Sequence, residues 1–249
     1  MISAERFQAY AAEGYNRIPV VREVLSDLDT PLSVYLKLAD GPNTYLFESV
    51  EGGETWGRYS IIGLPAQSTY TFRGNRLEVR AHGELVETRE LADPLAEVDR
   101  LRESFRVPRV PGLPAFTGGL VGYFGFESIA YIEPRLSGGD KPDQLGTPDA
   151  FLMLSEELAV FDNLKGRLYL IVHADPAEPQ AHARALRRLG EFVYRLRHSG
   201  RSMMVDAVDA LDGAEAADTS APAQAVPAAN GGASPAAPAP VAAPPSTAV

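Results

Sequence analysis

The residues best suited to bind a small molecule lie in the segment YLFESVEGGE, at 45–54. A short apolar run there ends in Glu48 and Ser49, and the chain then turns at Gly52 and Gly53. A carboxylate at this position could neutralise the ammonium group of a ligand, while the Ser49 hydroxyl and the strand-end amides could bind a carboxylate. The segment therefore has the outline of an amino-acid site, and the alternative interpretation is a solvated acidic loop.

A second segment, FTGGLVGYFGFE at 116–127, is dense in glycine and invites comparison with a phosphate-binding loop. Such a loop needs a lysine and a hydroxyl after its last glycine, to meet phosphate and Mg²⁺. Here Tyr123 and Phe124 follow Gly122, and the spacing of a dinucleotide-binding loop does not occur either. We therefore predict that these glycines let two backbones, or a backbone and an aromatic ring, approach closely.

The sequence has no familiar catalytic or metal-binding pattern. Its four histidines, His82, His173, His182 and His198, form no two-histidine helical metal motif, and no G-x-S-x-G elbow of a hydrolase occurs. Without cysteine, the chain has neither thiolate zinc ligands nor a cysteine nucleophile. We predict no catalytic residue, no metal site and no cofactor in this chain, and we interpret the histidines as structural or surface residues.

Charge and composition argue against several classes of partner. The formal net charge is −10, which opposes phosphate backbones and anionic membranes, so we expect neither nucleic acid nor a membrane as a partner. No stretch approaches about 18 consecutive apolar residues, and the charged start MISAERFQAY does not fit a secretory signal. Together with the lack of cysteine, these features favour a cytoplasmic protein.

Hydrophobic periodicity predicts an α/β (α+β) fold with substantial antiparallel sheet and flanking helices. Strands are expected at 45–48, 59–62, 68–72, 76–80, 151–161 and 167–173. Gly74 and Asn75 tolerate positive φ and are expected to join the third and fourth of these strands as a hairpin. The stiff, proline-rich connector at 107–114 is expected to separate two halves of one sheet.

Helices are predicted from capping residues and apolar stripes. Three shorter helices are expected to start at Ser3, Thr30 and Asp93. The clearest helix is expected to follow Asp175, because Asp175 and Glu178 form a capping-box pattern and Pro176 suits the first helical position. Its apolar stripe ends at Gly200, which is a typical helix terminator.

Residues 1–205 are expected to form one folded domain, and residues 206–249 a disordered tail. Residues 201–220 carry one Arg against four Asp and one Glu, and the last 29 residues hold 12 Ala, 7 Pro and no charged side chain. Such a composition offers too few large apolar groups to offset the entropy lost when the chain is ordered. We therefore predict an acidic and then Ala/Pro-rich tail whose removal leaves the folded domain unchanged.

Three motifs in order, LFES at 46–49, GRYSIIG at 57–63 and PAFTGGLVGYFGFE at 114–127, resemble the N-terminal domain of anthranilate synthase component I. The resemblance runs from about Thr30 to Asp162. It implies a lyase family that converts chorismate, with glutamine or ammonia, into anthranilate and pyruvate at the start of tryptophan biosynthesis. It also implies that LFES, whose family form is LLES, belongs to the tryptophan feedback site, so that Glu48 and Ser49 would bind tryptophan. The implied partners are L-tryptophan and a glutamine amidotransferase subunit, anthranilate synthase component II.

The sequence departs from this family at three points. Phe47 replaces a leucine of the motif, and Asn163 stands where the family often has His after Phe-Asp, which we interpret as a turn substitution. Members of the family continue into a chorismate-binding domain that carries the Mg²⁺ site and the catalytic acid and base, and nothing after Gly200 resembles that domain. The resemblance therefore predicts a chain that is inactive alone, and a truncated or frameshifted reading frame is the expected origin.

Two alternative functions stay open from the sequence. One is a stand-alone tryptophan-binding regulatory module, which tryptophan-dependent thermal stabilisation would reveal. The other is the N-terminal part of aminodeoxychorismate synthase component I, which shares the architecture. The pair of LFES and GRYSIIG favours anthranilate synthase.

Overall fold

A computed structural model describes residues 2–26, 29–48, 57–136 and 145–215 of the 249-residue chain. The chain divides into two compact units, Met1–Met204 and Val205–Val249. The first unit contains all of the strands among the described residues and the start of the longest helix.

The helices are α1 (Ala4–Ala12), α2 (Pro31–Leu38), α3 (Pro94–Ser104) and α4 (Ala181–Glu215). The first three begin where the sequence predicts, because the side chains of Ser3, Thr30 and Asp93 each accept a hydrogen bond from a backbone amide in the first turn. In α2 the capping is reciprocal, since Ser33 also accepts from the Thr30 amide. These starts are confirmed.

The predicted bounds of the last helix are wrong at both ends. Asp175 accepts from the Ala177 amide at 2.9 Å and caps a turn instead of the helix. Gln180 then has φ +54°, which breaks the helical path, so that α4 begins at Ala181. Gly200 does not end α4, because one glycine costs a helix only about 1 kcal/mol and helix-forming residues follow it. Residues 206–215 of the predicted tail thus belong to α4, and 216–249 lie outside the described residues.

Within the described residues, ten strands form two five-stranded sheets in which every neighbouring pair is antiparallel. They are β1 (Ile18–Leu25), β2 (Tyr45–Phe47), β3 (Tyr59–Gly63), β4 (Ser68–Arg73), β5 (Arg76–Ala81), β6 (Glu84–Glu90), β7 (Gly119–Phe124), β8 (Ala150–Ser155), β9 (Glu157–Asp162) and β10 (Arg167–Ala174). The first sheet has the order β1-β10-β9-β3-β2 and the second the order β6-β5-β4-β8-β7. The mixed fold with substantial antiparallel sheet is confirmed.

Two predictions about the sheets are corrected by this topology. The apolar run 151–161 is not one strand, because the chain leaves the second sheet after Ser155 and enters the first at Glu157. The connector 107–114 does not divide one sheet, since it leads to β7 at the edge of a second sheet. The hairpin at Gly74-Asn75 is confirmed, with Gly74 at φ +52°.

The first sheet is buried on both faces. One face packs against α1, α2 and α4, and its largest fully buried members are Phe7, Ile18, Leu38, Ile62, Leu168, Leu170 and Phe192. The opposite face contains Val21, Leu158, Val160, Tyr169 and Ile171, packed with Leu113 and Phe116 from the connector region. The proline-rich segment therefore helps to close the core.

The second sheet has a smaller core on one face. Tyr70, Phe72, Leu152 and Leu154 pack there with Val98, Leu101 and Phe105 at α3. Side chains alternate between the faces of a strand, so Phe151 and Met153 of β8 lie on the opposite face, where both are only partly buried.

Candidate functional site

The LFES segment is held in place where the two sheets meet. Tyr45, the first residue of β2, is buried, and its hydroxyl lies 2.7 Å from Ser155 Oγ at the end of β8. Its ring covers Gly63 of β3, where a Cβ atom would come within 1.9 Å of Tyr45 Cε1. The last glycine of GRYSIIG is therefore required by the ring of Tyr45. This contact and the buried hydrogen bond position the strand that ends before Glu48.

The glycine-rich segment meets the same junction. A Cβ atom on Gly118, which has φ +145°, would lie 2.7 Å from the carbonyl oxygen of Ser155. A Cβ atom on Gly122 would lie 1.9 Å from the carbonyl oxygen of Phe151. Both positions need glycine because a neighbouring backbone comes so close. The prediction that these glycines serve close approach is confirmed.

His173 of β10 completes the junction as a neutral group. Its Nε2 lies 2.6 Å from the carbonyl oxygen of Thr117, and since a carbonyl only accepts, Nε2 carries the proton. Burial lowers the pKa of His173 to about 4. At neutral pH this imidazole is an uncharged hydrogen-bond donor to the backbone, which is the structural role that the sequence indicates.

An ion-pair network lies beside this histidine. Arg17 donates from Nε to Glu156 Oε1 and from Nη1 to Asp175 Oδ2, each at 2.7 Å. Burial raises the pKa of Glu156, and the charge and hydrogen bond of Arg17 oppose that shift. The sequence gives no local sign of this network, because Glu156 and Asp175 lie 139 and 158 residues from Arg17 along the chain.

The network lines an open cleft of about 550 Å³ between the sheet junction and the start of α4. Most of the charges lining it are already paired within the chain. Arg188 binds both carboxylate oxygens of Glu157, at 2.8 and 2.9 Å, and Arg184 pairs with Glu178 at 2.7 Å. The cleft is therefore polar but largely neutralised by its own residues.

Arg58, near the start of GRYSIIG, forms an ion pair with the Phe-Asp-Asn segment at 161–163. Arg58 binds Asp162 through two hydrogen bonds of 2.9 and 2.6 Å, and Asp162 is only 1% exposed. The Arg58 guanidinium lowers the pKa of Asp162. Asn163 donates its backbone amide to the Arg58 carbonyl at 2.8 Å and its side-chain amide to Ser60 Oγ at 3.2 Å. The interpretation of Asn163 as a turn residue is confirmed.

Of the two predicted site residues, the structure describes one. Glu48 directly follows β2 at an outer edge of the first sheet and is exposed, whereas Ser49 lies outside the described residues. Phe47 pairs with Ile61 of β3, and its ring centroid lies 4.8 Å from that of Tyr45. Phe47, which precedes Glu48 in the chain, is 54% exposed. The assignment of Glu48 and Ser49 to a tryptophan site stays a prediction.

The described ranges contain neither a candidate metal centre nor a helix that could span a membrane. Across the described part of the chain, no group of three or more His, Asp or Glu side chains could hold a metal ion. None of the helices described there has a stretch long and apolar enough to span a bilayer.

The chain is similar to known proteins over about four-fifths of its length. It is 54% identical over 202 residues to anthranilate synthase component 1 of Neisseria meningitidis serogroup C / serotype 2a, covering 80% of this chain and 41% of the relative. It is 52% identical over 196 residues to the protein of that name from Pseudomonas aeruginosa, covering 79% and 40%. With that of Aquifex aeolicus the identity is 35% over 197 residues, covering 78% and 39%.

A crystal structure of anthranilate synthase component I from Streptococcus pneumoniae TIGR4 aligns with a TM-score of 0.45 and 25% identity, covering 70% of this chain and 36% of that one. No family model matches this chain. The chain spans about two-fifths of the length of the curated relatives that it matches. On this sequence similarity, the chain is a homologue of an N-terminal part of anthranilate synthase component 1.

Proposed function

We propose that this chain is the tryptophan-binding regulatory part of an anthranilate synthase component 1. The observation that carries the proposal is the geometry of the LFES strand. Tyr45 is fixed by Ser155 and Gly63, while Phe47 and Glu48 remain exposed at the edge of the sheet. A rigid strand that presents an aromatic ring and a carboxylate is suited to an aromatic amino acid.

Each group of tryptophan has a complementary group in this segment. The Glu48 carboxylate neutralises the ammonium group, and the ring of Phe47 offers a face for the indole. The Ser49 hydroxyl and the amides after the strand bind the carboxylate. This chain supplies one wall of the pocket, and the remaining part of the enzyme supplies the other.

The complete protein would convert chorismate, with glutamine or ammonia, into anthranilate and pyruvate, with component II as the amidotransferase partner. Tryptophan bound between the two parts would inhibit by favouring a less active arrangement, and only by the difference in its affinity for the two states. The Mg²⁺ that the family implies finds no group of ligands among the described residues, so no catalytic step is assigned to them.

The first test is activity. We expect the purified 249-residue chain to produce no anthranilate from chorismate and ammonia, because the groups for this reaction must be positioned together. Anthranilate fluorescence above a no-enzyme control would contradict the proposal that this part is regulatory only.

The second test is tryptophan binding and inhibition. Losing one charge-assisted hydrogen bond costs about 1.5–3 kcal/mol, so Glu48→Gln should weaken tryptophan binding by about 10- to 150-fold in the enzyme completed with the rest of a relative's chain. Ser49→Phe, which also adds bulk, should abolish tryptophan inhibition and spare turnover. Thr88→Phe, which makes the same replacement of a hydroxyl by a ring on the exposed strand β6, is the control and should keep full inhibition.

Calorimetry on the 249-residue chain decides between a shared and a self-contained pocket. We expect binding weaker than micromolar, because the chain provides one wall. Micromolar affinity would favour the stand-alone module, and a Ser49→Phe enzyme that stays tryptophan-sensitive would overturn the site assignment.

A further inference from the structure

A cavity of about 360 Å³ lies at the outer edge of the first sheet, beside α4 and the segment that leads into α2. Its apolar lining comes from β1, β10 and α4 and consists of Val24, Leu25, Leu168, Val193 and Leu196. Small-molecule sites in proteins usually have volumes of about 300–1,000 Å³ and mostly apolar walls with a few polar groups. The cavity therefore has room and apolar surface for a small organic molecule.

The acidic side chains at this cavity are already neutralised within the chain. Glu23 forms an ion pair with Arg167. Asp29 Oδ1 accepts from Lys37 Nζ at 2.6 Å and from Ser33 Oγ at 2.8 Å. Both carboxylates therefore have a cationic partner from the protein itself.

The two arginines at the cavity are not neutralised. Neither Arg22 nor Arg197 has an ion pair or a side-chain hydrogen bond with any residue that the structure describes. Arg197 is exposed on α4, but Arg22 is half-buried. Side chains alternate along a strand, so Arg22 lies on the same face of β1 as Val20 and Val24, which pack in the helix-covered core. A partly desolvated charge is costly unless a counter-charge meets it, so an anionic ligand would relieve this cost.

We propose that this cavity binds a small organic carboxylate that has an apolar body and no ammonium group. The guanidinium groups of Arg22 and Arg197 suit a carboxylate, because a guanidinium can donate two parallel hydrogen bonds to it. The walls formed by Leu168 and Leu196 would cover the body of the ligand. An amino acid is disfavoured, since its ammonium group would meet two arginines and two carboxylates that are already paired.

The experiment measures the binding of hydrocinnamate to the full 249-residue chain by calorimetry at low ionic strength. Hydrocinnamide has the same apolar body without the charge, and acetate has the charge without the ring. We expect hydrocinnamate to bind with a dissociation constant of about 1 mM or tighter. Each of the other two compounds should bind at least about ten-fold more weakly, because the site requires both the charge and the apolar body.

The test variant is Arg22→Gln with Arg197→Gln. The matched control is Arg109→Gln with Arg195→Gln, which removes the same charge from two arginines that do not line the cavity. We expect the test variant to bind hydrocinnamate at least about ten-fold more weakly and the control to bind within about two-fold of the unmodified chain.

Stability separates a binding role of these arginines from a structural one. Without ligand, the test variant should unfold at a urea concentration no lower than the unmodified chain, because the two arginines have no partner to lose. If the double variant does not fold, Arg197→Gln alone, at an exposed helix position, gives the same comparison and should still weaken binding by at least about three-fold.

Several outcomes would overturn the inference. They are equal binding of hydrocinnamate and hydrocinnamide, equal binding by the test and control variants, or no binding of hydrocinnamate up to about 10 mM. The inference does not rest on the proposed function, because β1 and the LFES strand β2 are at opposite edges of the first sheet. Glu48→Gln should therefore leave hydrocinnamate binding unchanged, and a loss of binding in that variant would place the ligand at the LFES strand instead.

Discussion

The two sheets have the same number of strands and the same antiparallel pairing, but they are buried to different extents. The first sheet is covered by three helices on one face and by residues around Leu113 and Phe116 on the other. The second sheet is covered by α3 on one face, and on the opposite face Phe151 and Met153 stay partly exposed. When both faces of a sheet are covered, the chain completes the core by itself. When one face is covered, apolar side chains on the other face stay exposed and form a surface suited to a partner.

The junction between the sheets links these two regions. Tyr45 of the first sheet bonds Ser155 of the second, and His173 donates to Thr117 just before β7. The LFES strand is therefore tied to the second sheet by a buried hydrogen bond.

The largest expected effect comes from the core of the first sheet. Leu170 is fully buried there, so Leu170→Ala should cost about 4 kcal/mol of unfolding free energy, because a site closed on both sides relaxes little around a cavity. Leu152→Ala in the second sheet should cost about 2–3 kcal/mol, since the thinner layer can collapse more easily. Urea unfolding followed by circular dichroism measures both. An equal or larger loss for Leu152→Ala would show that the second sheet is as closed as the first.

The next effect tests the junction itself. Gly63→Ala should cost about 3 kcal/mol, because the new Cβ would push the ring of Tyr45 away from its buried hydrogen bond with Ser155. Gly190→Ala is the control, since a Cβ there meets nothing within 4 Å and lies in a helix, so a gain of up to about 1 kcal/mol is expected. The same denaturation experiment applies. A tolerated Gly63→Ala would mean that Tyr45 does not fix the LFES strand.

The pH dependence of stability tests His173. The folded-state pKa of about 4 lies below the ordinary value of 6.5, so the unfolded state binds the proton more readily. The contribution of His173 is therefore complete above pH 6.5 and is lost as the pH falls toward 4. The full loss is about 3 kcal/mol, because the folded and unfolded pKa values differ by about 2.5 and each unit of pKa corresponds to about 1.4 kcal/mol.

His173→Gln provides the comparison for this titration. Glutamine can still donate to the Thr117 carbonyl but does not titrate, so the slope of stability between pH 6.5 and 4 should be smaller in the variant. His82→Gln, at an exposed turn, is the control and should leave the slope unchanged. Identical slopes for His173→Gln and the unmodified chain would show that this histidine is not held neutral.

Much of the fold could be predicted because it depends on local signals. The caps at Ser3, Thr30 and Asp93 and the hairpin at Gly74 are short-range features, and all four are found. The strands β1, β6 and β7 were missed. Strand β6 is fully exposed and charged, and β7 lies in the glycine-dense segment, for which close backbone approach but no strand is predicted, so neither has the alternating pattern that identifies a half-buried strand.

The candidate site could be predicted only in part, because some of its contacts join residues of different strands. Glu48 and Ser49 are predicted from their position after an apolar run, and their assignment stays a prediction, whereas the residues that hold this run, Ser155 and Gly63, come from other strands. The break between β8 and β9 does leave a mark, because Ser155, Glu156 and Glu157 interrupt the apolar residues of 151–161 at the point where the chain changes sheets. Which strands pair with β8 and β9 is decided by long-range contacts, of which the sequence carries no local record.

The smallest expected effect on stability is at the β7 edge of the second sheet. Tyr123→Lys with Phe126→Lys should change the unfolding free energy of the chain by no more than about 1 kcal/mol, because Phe126 is 87% exposed and Tyr123 is 42% exposed, so that a lysine at either position can keep its charge in water. Tyr169→Lys is the contrasting substitution. Tyr169 is 4% exposed, on the face of the first sheet opposite the helices, and a buried lysine there would lower the unfolding free energy several times as much. Urea unfolding of the three proteins gives the comparison. A large loss for the double variant would mean that Tyr123 and Phe126 belong to the core of the chain itself, which would contradict the one-sided cover of the second sheet.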